Sequence, residues 1–305
     1  MKVVILVSQG LDSKLAWAWC QRVGFECLPL YISHPFIQRK NLISTDKGVE
    51  VCNLNREFLE IIKNPKYGFG KYMNPCIDCR ILMLKKAKEY MESTGASFVV
   101  TGEVLGQRPM SQFLKTLIVI DKSANLEGRV LRPLSGRLLP LTEMEKEGII
   151  DRNQLLDIQG RSRRRQLQLA HEWGIKKFLS PSGGCLLTDR NFVDRLRKEL
   201  KFKKELSVRD IELLKIGRHY WIDGVKIIIG RNNEENNIIE RLAQNGEILL
   251  RVLNFGSPVT LFNGKEELLL KAAQMTKRYS DGKNEEGVVV EYKIVGQGEV
   301  RRFSV

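Results

Sequence analysis

The chain opens on an unbroken apolar run, Val3-Val4-Ile5-Leu6-Val7, the pattern of a strand covered on both faces. A polar turn follows, Ser8-Gln9-Gly10-Leu11-Asp12-Ser13, and then a helical stretch through about Arg22. Glu26 to Ile32 predicts a second strand, and Lys47 to Lys63 a helix. Cys79 to Thr94 predicts another helix, with Leu82, Leu84, Ala87 and Met91 as its apolar positions, and Ser97 to Thr101 a third strand that ends at Gly102. Strands alternating with helices predict an α/β unit on a parallel sheet, whose binding loops lie at the carboxyl ends of the strands. Ser8 to Ser13 and Gly102 to Arg108 would then share one rim.

Further along, Gln154 to Trp173 reads as largely helical, with Leu155, Leu156, Leu167, Leu169 and Ala170 as its apolar side. The loop Ser180-Pro181-Ser182-Gly183-Gly184-Cys185 and a basic helix from about Asn191 to Lys204 come next. Beyond Lys204 the pattern changes to short β-rich pieces: His219 to Ile222, Val225 to Ile229, Ile248 to Leu253, Val259 to Phe262 and Val288 to Ile294. The change predicts a first domain over residues 1–204 and a smaller α+β domain over 205–305. No fixed-period repeat runs through either.

Composition narrows the class. Fifty Lys and Arg against 36 Asp and Glu give a formal charge of +14, which favours a polyanionic partner, nucleic acid first. No apolar run is long enough to span a bilayer, and the N-terminus lacks a small-residue cleavage site, so a cytoplasmic protein is expected.

The turn after the first strand carries candidate chemistry. No Gly-x-x-x-x-Gly-Lys-Ser/Thr element is present, which excludes the P-loop solution to phosphate binding. Hydroxyls at Ser8 and Ser13, a permissive Gly10 and the backbone amides of a helix start suit an anionic phosphate by another route. Asp12 beside phosphates requires a cation, most simply Mg2+. An ordinary N-capped turn is the alternative for these six residues.

Ser8-x-Gly10-Leu11-Asp12-Ser13 resembles the PP-loop of the N-type ATP pyrophosphatases, with Gln9 where that family usually has a second glycine. The segment from Thr101 to Gln112 is similar to the TGE-x-x-GQ-x-x-SQ segment of tRNA 4-thiouridine synthases, and Leu131-Arg132-Pro133-Leu134 follows as it does there. The resemblance implies ATP at Ser8, Gly10, Asp12 and Ser13, with Gly102, Gln107 and Arg108 lining the nucleotide site. It also implies transfer of AMP onto a uridine carbonyl oxygen of tRNA before sulfur attacks. Arg132 joins Gln107 and Arg108 as an expected stabiliser of charge at phosphorus. No rhodanese or THUMP segment is recognisable, so sulfur supply and tRNA capture are expected to differ from those of full-length 4-thiouridine synthases.

Cys76-Ile77-Asp78-Cys79 falls at a helix start, where the helix N-terminus is expected to lower thiol pKa values. Cys185 lies more than a hundred residues later and reaches them only through the fold. Three thiolates at Cys76, Cys79 and Cys185 are the donor set for a [4Fe-4S] cluster with one open iron, and the resemblance to tRNA thiolation enzymes supports that reading. A redox or persulfide pair, Cys185 with Cys79, is the mechanistic alternative, which makes Asp12, Cys79 and Cys185 the catalytic candidates. Zinc would need a fourth ligand such as Cys52, His34, His171 or His219, none at convincing spacing. Cys20, Cys27 and Cys52 are expected as small core residues.

Arg161, Arg163, Arg164 and Arg165 crowd one short segment and suit RNA phosphates. Asp223 to Asn237 resembles the Gly-Arg-Asn-x-x-x-Asn segment of the NFACT RNA-binding domain, which implies RNA contact by Arg231 and Asn232. A structural role for the same loop is the alternative. The function expected is ATP-dependent tRNA uridine thiolation with an external sulfur donor; a PP-loop enzyme acting on a small molecule and a noncatalytic RNA-binding protein are the other readings.

Overall fold

A computed structural model describes residues 1–38, 48–178, 184–264 and 266–305. Lys47 and residues 180–183 of the readings above lie outside them. The chain divides into two compact units, Met1–Arg190 and Asn191–Val305.

The first unit is built on a five-stranded parallel sheet in the order β3-β2-β1-β4-β5, with β1 Lys2–Val7, β2 Glu26–Ser33, β3 Glu50–Asn53, β4 Phe98–Val100 and β5 Val130–Leu131. Val3, Val4 and Ile5 are fully buried, as the unbroken apolar run predicts. The order reverses between β1 and β4, and the crevice at their carboxyl ends is where such sheets bind ligands. Between the strands lie α1 Leu11–Arg22, α2 Asn55–Lys63, α3 Cys76–Thr94 and α4 Leu114–Ser123, and after β5 come the short α5 Glu143–Lys146 and α6 Arg164–Glu172. Leu11 and Leu15 of α1 bury themselves against Val104, Leu134, Leu169 and Ala170, which holds α6 on the first turns of α1.

Two stretches depart from the expected helices. Glu50–Asn53 is a strand paired with Leu30–Ser33, because the β-branched Val49 and Val51 pack against the sheet core before α2 begins. Residues 155–163 are not helical either. Leu156 and Ile158 donate backbone hydrogen bonds to Pro133 and Leu134, and Gly160 takes φ +80°, so the apolar Leu155 and Leu156 serve an extended segment.

The second unit has a six-stranded sheet, order β11-β10-β8-β9-β7-β6, in which all pairs are antiparallel. Its elements are α7 Arg190–Phe202, α8 Val208–Leu214, β6 Arg218–Ile222, β7 Val225–Ile229, α9 Asn233–Leu242, β8 Ile248–Val252, β9 Thr260–Phe262, α10 Leu269–Arg278, β10 Val289–Ile294 and β11 Val300–Ser304. Ala272 and Ala273 of α10 cover one face of the sheet, while Leu213, Ile238 and Ile239 cover the other. The α/β unit followed by an α+β unit is the architecture the sequence predicts. The basic helix α7 lies almost wholly within the second unit, and the change of sequence pattern near Lys204 falls just past its end. Among the described residues no helix is long and apolar enough to cross a membrane.

Candidate functional site

The turn after β1 is held by its own hydroxyls. Ser8 N–H donates to Ser13 Oγ at 3.1 Å, Gly10 N–H to Ser8 Oγ at 3.2 Å, and the Ser13 hydroxyl reaches the Ser8 and Gly10 carbonyls at 2.8 and 3.0 Å. Gly10 is the N-cap of α1 and supplies no side-chain cap, so the helix dipole and its first amides face the turn. Gly102 lies against this helix start. A Cβ there would stand 2.5 Å from the Asp12 backbone, so glycine is needed for the loop after β4 to approach α1.

That approach brings Gln107 to Asp12. Gln107 Nε2 donates to Asp12 Oδ2 at 2.7 Å, and Gln166 Nε2 on α6 donates to Gln107 Oε1 at 3.0 Å. Asp12 Oδ1 is buried with no hydrogen-bond partner among the described residues. An unpaired buried carboxylate oxygen is costly unless a cation or donor meets it, so Asp12 fits the Mg2+ role expected of it. Beside the turn opens a cavity of about 690 Å3 lined by Ser8, Gln9, Lys14, Trp17, Lys176, Lys177 and Phe178 among others. Its cationic and aromatic walls suit a nucleotide.

Arg132 does not join this site. It is 4% exposed, donates to both oxygens of Asp121 at 2.7 and 2.8 Å and to Glu103 at 3.0 Å, and has no guanidinium edge to spare for phosphorus. Burial works against its charge, but the two carboxylates more than offset this and hold its pKa above the ordinary arginine range. The arginine expected at the transferred phosphate is therefore a buried tie between β5, α4 and the loop after β4.

The three cysteines come from two segments that lie near one another. Cys76 and Cys79 begin α3, and Cys185 is brought in by bridging to Ile37, with Leu186 N–H donating to Phe36 O at 2.8 Å. Asn74 Nδ2 donates to Cys76 Sγ at 3.2 Å. Asp78 instead accepts from the Lys66 and Tyr67 amides at 3.0 and 3.1 Å, pinning the preceding turn. The Cys79 thiol is pushed up to about 12, by burial first and then by Cys185 and Cys76, against the pull of Arg80 and Arg108. Burial likewise pushes Cys185 up to about 11, with Cys76 adding and Arg108 opposing. A helix N-terminus alone would lower Cys79; withdrawal from water outweighs it, and the lowering expected there is corrected to a rise. Each value carries the charge of a neighbouring cysteine, so the three thiols share one neighbourhood. Among the described residues, however, no group of three or more His, Cys, Asp or Glu side chains is placed to hold a metal ion. Of the remaining cysteines, Cys20 is fully buried and Cys27 and Cys52 are half-buried.

Arg108 is exposed, and its charge reaches both Cys79 and Cys185, while its chain neighbour Gln107 holds Asp12. Arg161, Arg164 and Arg165 are exposed around the start of α6, whereas Arg163 is its N-cap, half-buried, with Nε unpartnered among the described residues. In the second unit Asn232 caps α9 through Glu235 N–H at 2.9 Å, and Arg231 pairs with Glu235 at 2.6 Å. Asn236 accepts from Val259 N–H at 2.9 Å and leaves no room for a side chain at Gly230.

Residues 1–166, more than half of the chain, match the family described as thiamine biosynthesis protein (ThiI). The chain belongs to the ThiI family. Residues 217–305 match the NFACT protein RNA binding domain. ThiI relatives include the "Probable tRNA sulfurtransferase" of Thermococcus kodakarensis, 30% identical over 165 residues, covering 49% of this chain and 39% of that protein. The protein of the same name from Methanocaldococcus jannaschii is 31% identical over 144 residues, covering 44% of this chain and 37% of its own length. The chain therefore spans about two-fifths of the length of these relatives. A 4-thiouridine synthetase crystallised with RNA and ATP covers 70% of this chain and 52% of its own, at 20% identity and a TM-score of 0.38.

Two residues of the candidate site are not expected from the sequence. Asn74 gives no signal beyond lying two residues before Cys76. Gln166 gives one: with Leu169 and Ala170 it occupies the buried side of α6 at helical spacing, a polar residue on an apolar face.

Proposed function

We propose that this chain catalyses ATP-dependent thiolation of a tRNA uridine. The observation that carries the reading is the hydrogen bond from Gln107 to Asp12, which joins the loop after β4 to the turn after β1 and leaves the other Asp12 oxygen unpartnered among the described residues. The uridine carbonyl oxygen attacks the α-phosphorus of ATP, the bond to pyrophosphate breaks, and the oxygen becomes part of a good leaving group, AMP. A hydrosulfide equivalent from an external donor then attacks the ring carbon. AMP departs with the original oxygen, and the carbon–sulfur bond replaces the carbon–oxygen bond without net oxidation. Ser8, Gly10, Ser13 and the first amides of α1 orient the phosphates, and Asp12 would hold Mg2+, which when bound neutralises phosphate charge. Gly102 sets the spacing between the two loops.

Cys76, Cys79 and Cys185 form the sulfur-handling centre in this reading. Their chemistry matches a [4Fe-4S] cluster, which when bound would supply an iron without a protein ligand as a seat for sulfur. Their present spacing does not form a ready metal site, so the thiols would have to converge and lose their protons as it assembles. Arg161, Arg163, Arg164 and Arg165, with the second unit through Arg231 and Asn232, contribute tRNA binding. A small-molecule acceptor is the second reading, favoured by the family's description as a thiamine biosynthesis protein. Mass spectrometry of tRNA nucleosides from a strain lacking the gene separates them: loss of a thiolated uridine supports the proposal, and an unchanged nucleoside profile rejects it.

A further inference from the structure

We infer that Gln166 is a positioning residue for the nucleotide site, fixing the Gln107 amide so that Asp12 presents one oxygen to a cation. The inference rests on the reading of Asp12 as the Mg2+ ligand.

The direction of the hydrogen-bond chain is set by chemistry. A carboxylate only accepts, so the group that Gln107 turns to Asp12 Oδ2, 2.7 Å away, is its NH2. Its oxygen must then face away, and Gln166 Nε2 meets that oxygen at 3.0 Å. Without a donor at this place the Gln107 amide could rotate and present its own oxygen to Asp12, where two acceptors would repel. Gln166 opposes this from a packed position: it is 0% exposed, on the face of α6 whose Leu169 and Ala170 pack on Leu11 and Leu15 of α1, and its bond to Gln107 is made through Nε2 while its own Oε1 has no partner among the described residues. The loop carrying Gln107 is held just as firmly. Gly160 N–H donates to Leu105 O at 2.7 Å, and Leu105 N–H donates to Ser135 Oγ at 2.9 Å. With Oδ2 engaged, Asp12 Oδ1 is the oxygen left buried and unpartnered among the described residues. Gln166 touches no ligand in this scheme and acts through Gln107 alone.

The test is a Mg2+ titration of ATP binding to the full chain, in the wild type, Gln166→Met, Gln107→Met and the double variant, each first shown to be folded by its thermal unfolding transition. Methionine keeps the volume and removes both polar ends. Gln166→Met should raise the Mg2+ needed for half-maximal ATP binding by about tenfold, the lower end of what outer partners of metal ligands contribute. The double variant should be no worse than Gln107→Met, because the two residues act in series. Additive losses, or a Gln166→Met variant that titrates like the wild type, would overturn the inference while leaving the nucleotide reading standing. A wild type that binds no ATP at any Mg2+ concentration would overturn both. Should Gln166→Met not fold, hydrogen exchange in the wild type decides: the Gln166 side-chain amide protons should be protected on the timescale of the core of α6, and exchange at the solvent rate would overturn the inference.

Discussion

Gln107 and Asp12 lie 95 residues apart, and the 2.7 Å hydrogen bond between them ties the loop after β4 to the turn after β1. Those strands flank the point where the sheet order reverses. The bond therefore crosses the crevice in which an α/β sheet of this kind receives its ligand, and it leaves Asp12 with one oxygen for a cation.

Asp12→Asn should lower turnover by about 10²–10³-fold, the range seen when one charge-stabilising group is removed from a reacting centre. Stability should change little, because Asp12 contributes one hydrogen bond at the rim. Steady-state kinetics beside thermal unfolding check this. A variant that loses stability in proportion to activity would make Asp12 a structural cap.

The exposed arginines around the start of α6 should give tRNA binding a steep salt dependence. Replacing Arg161, Arg164 and Arg165 by glutamine should flatten the plot of log affinity against log salt by about 0.9 for each phosphate no longer neutralised. Arg165 stands 3.9 Å from Glu172, so its share should be the smallest. An unchanged slope would assign these residues to an ordinary solvated face.

His219 should make the second unit acid-sensitive. Its Nε2 donates to Ile216 O at 2.7 Å, and burial, with Lys226 and Arg195 adding, pushes its imidazolium down to about 3 from 6.5. The unfolded chain then accepts a proton that the folded chain refuses. Stability is complete above pH 6.5 and falls as pH drops toward 3, by at most ~1.4 kcal/mol per pH unit from this group. Denaturant unfolding between about pH 7 and 4 should be less pH-dependent in His219→Gln, and equal slopes would show that His219 charges freely in the folded state.

Much of the fold and site is legible in the sequence, for reasons that also explain the gaps. The first strand, the phosphate turn and α1 are contiguous, so their order in the chain is their order in space. Cys76 and Cys79 read as a pair for the same reason. Three features turn on partners that spacing cannot reveal. Arg132 reads as available because nothing local marks Glu103 and Asp121 as its partners. The thiol at Cys79 reads as set for a lowered pKa because burial cannot be counted from a motif. Residues 155–163 carry enough leucine and isoleucine for a helix, yet the Leu156 and Ile158 amides pair with residues 133 and 134.

The cysteine centre has a direct signature. Purified without oxygen, the protein should be brown and hold about four irons per chain if the three thiols carry a cluster. Replacing Cys76, Cys79 or Cys185 should bleach it and stop sulfur transfer while leaving ATP binding largely intact. Cys20, Cys27 and Cys52 should be dispensable. A colourless, iron-free protein that still thiolates tRNA with a persulfide donor would make Cys185 the sulfur carrier, with Cys79 or Cys76 resolving it.

The most direct test of the whole account is the product balance of a single reaction. Unmodified tRNA, ATP, Mg2+, a sulfide donor and the anaerobic enzyme are combined, and the nucleotides and digested tRNA are quantified together. The account predicts one AMP and one pyrophosphate for each thiolated uridine, and no uridine thiolation when ATP is omitted. ADP and phosphate in place of AMP, or AMP formed with no change in the tRNA, would contradict it.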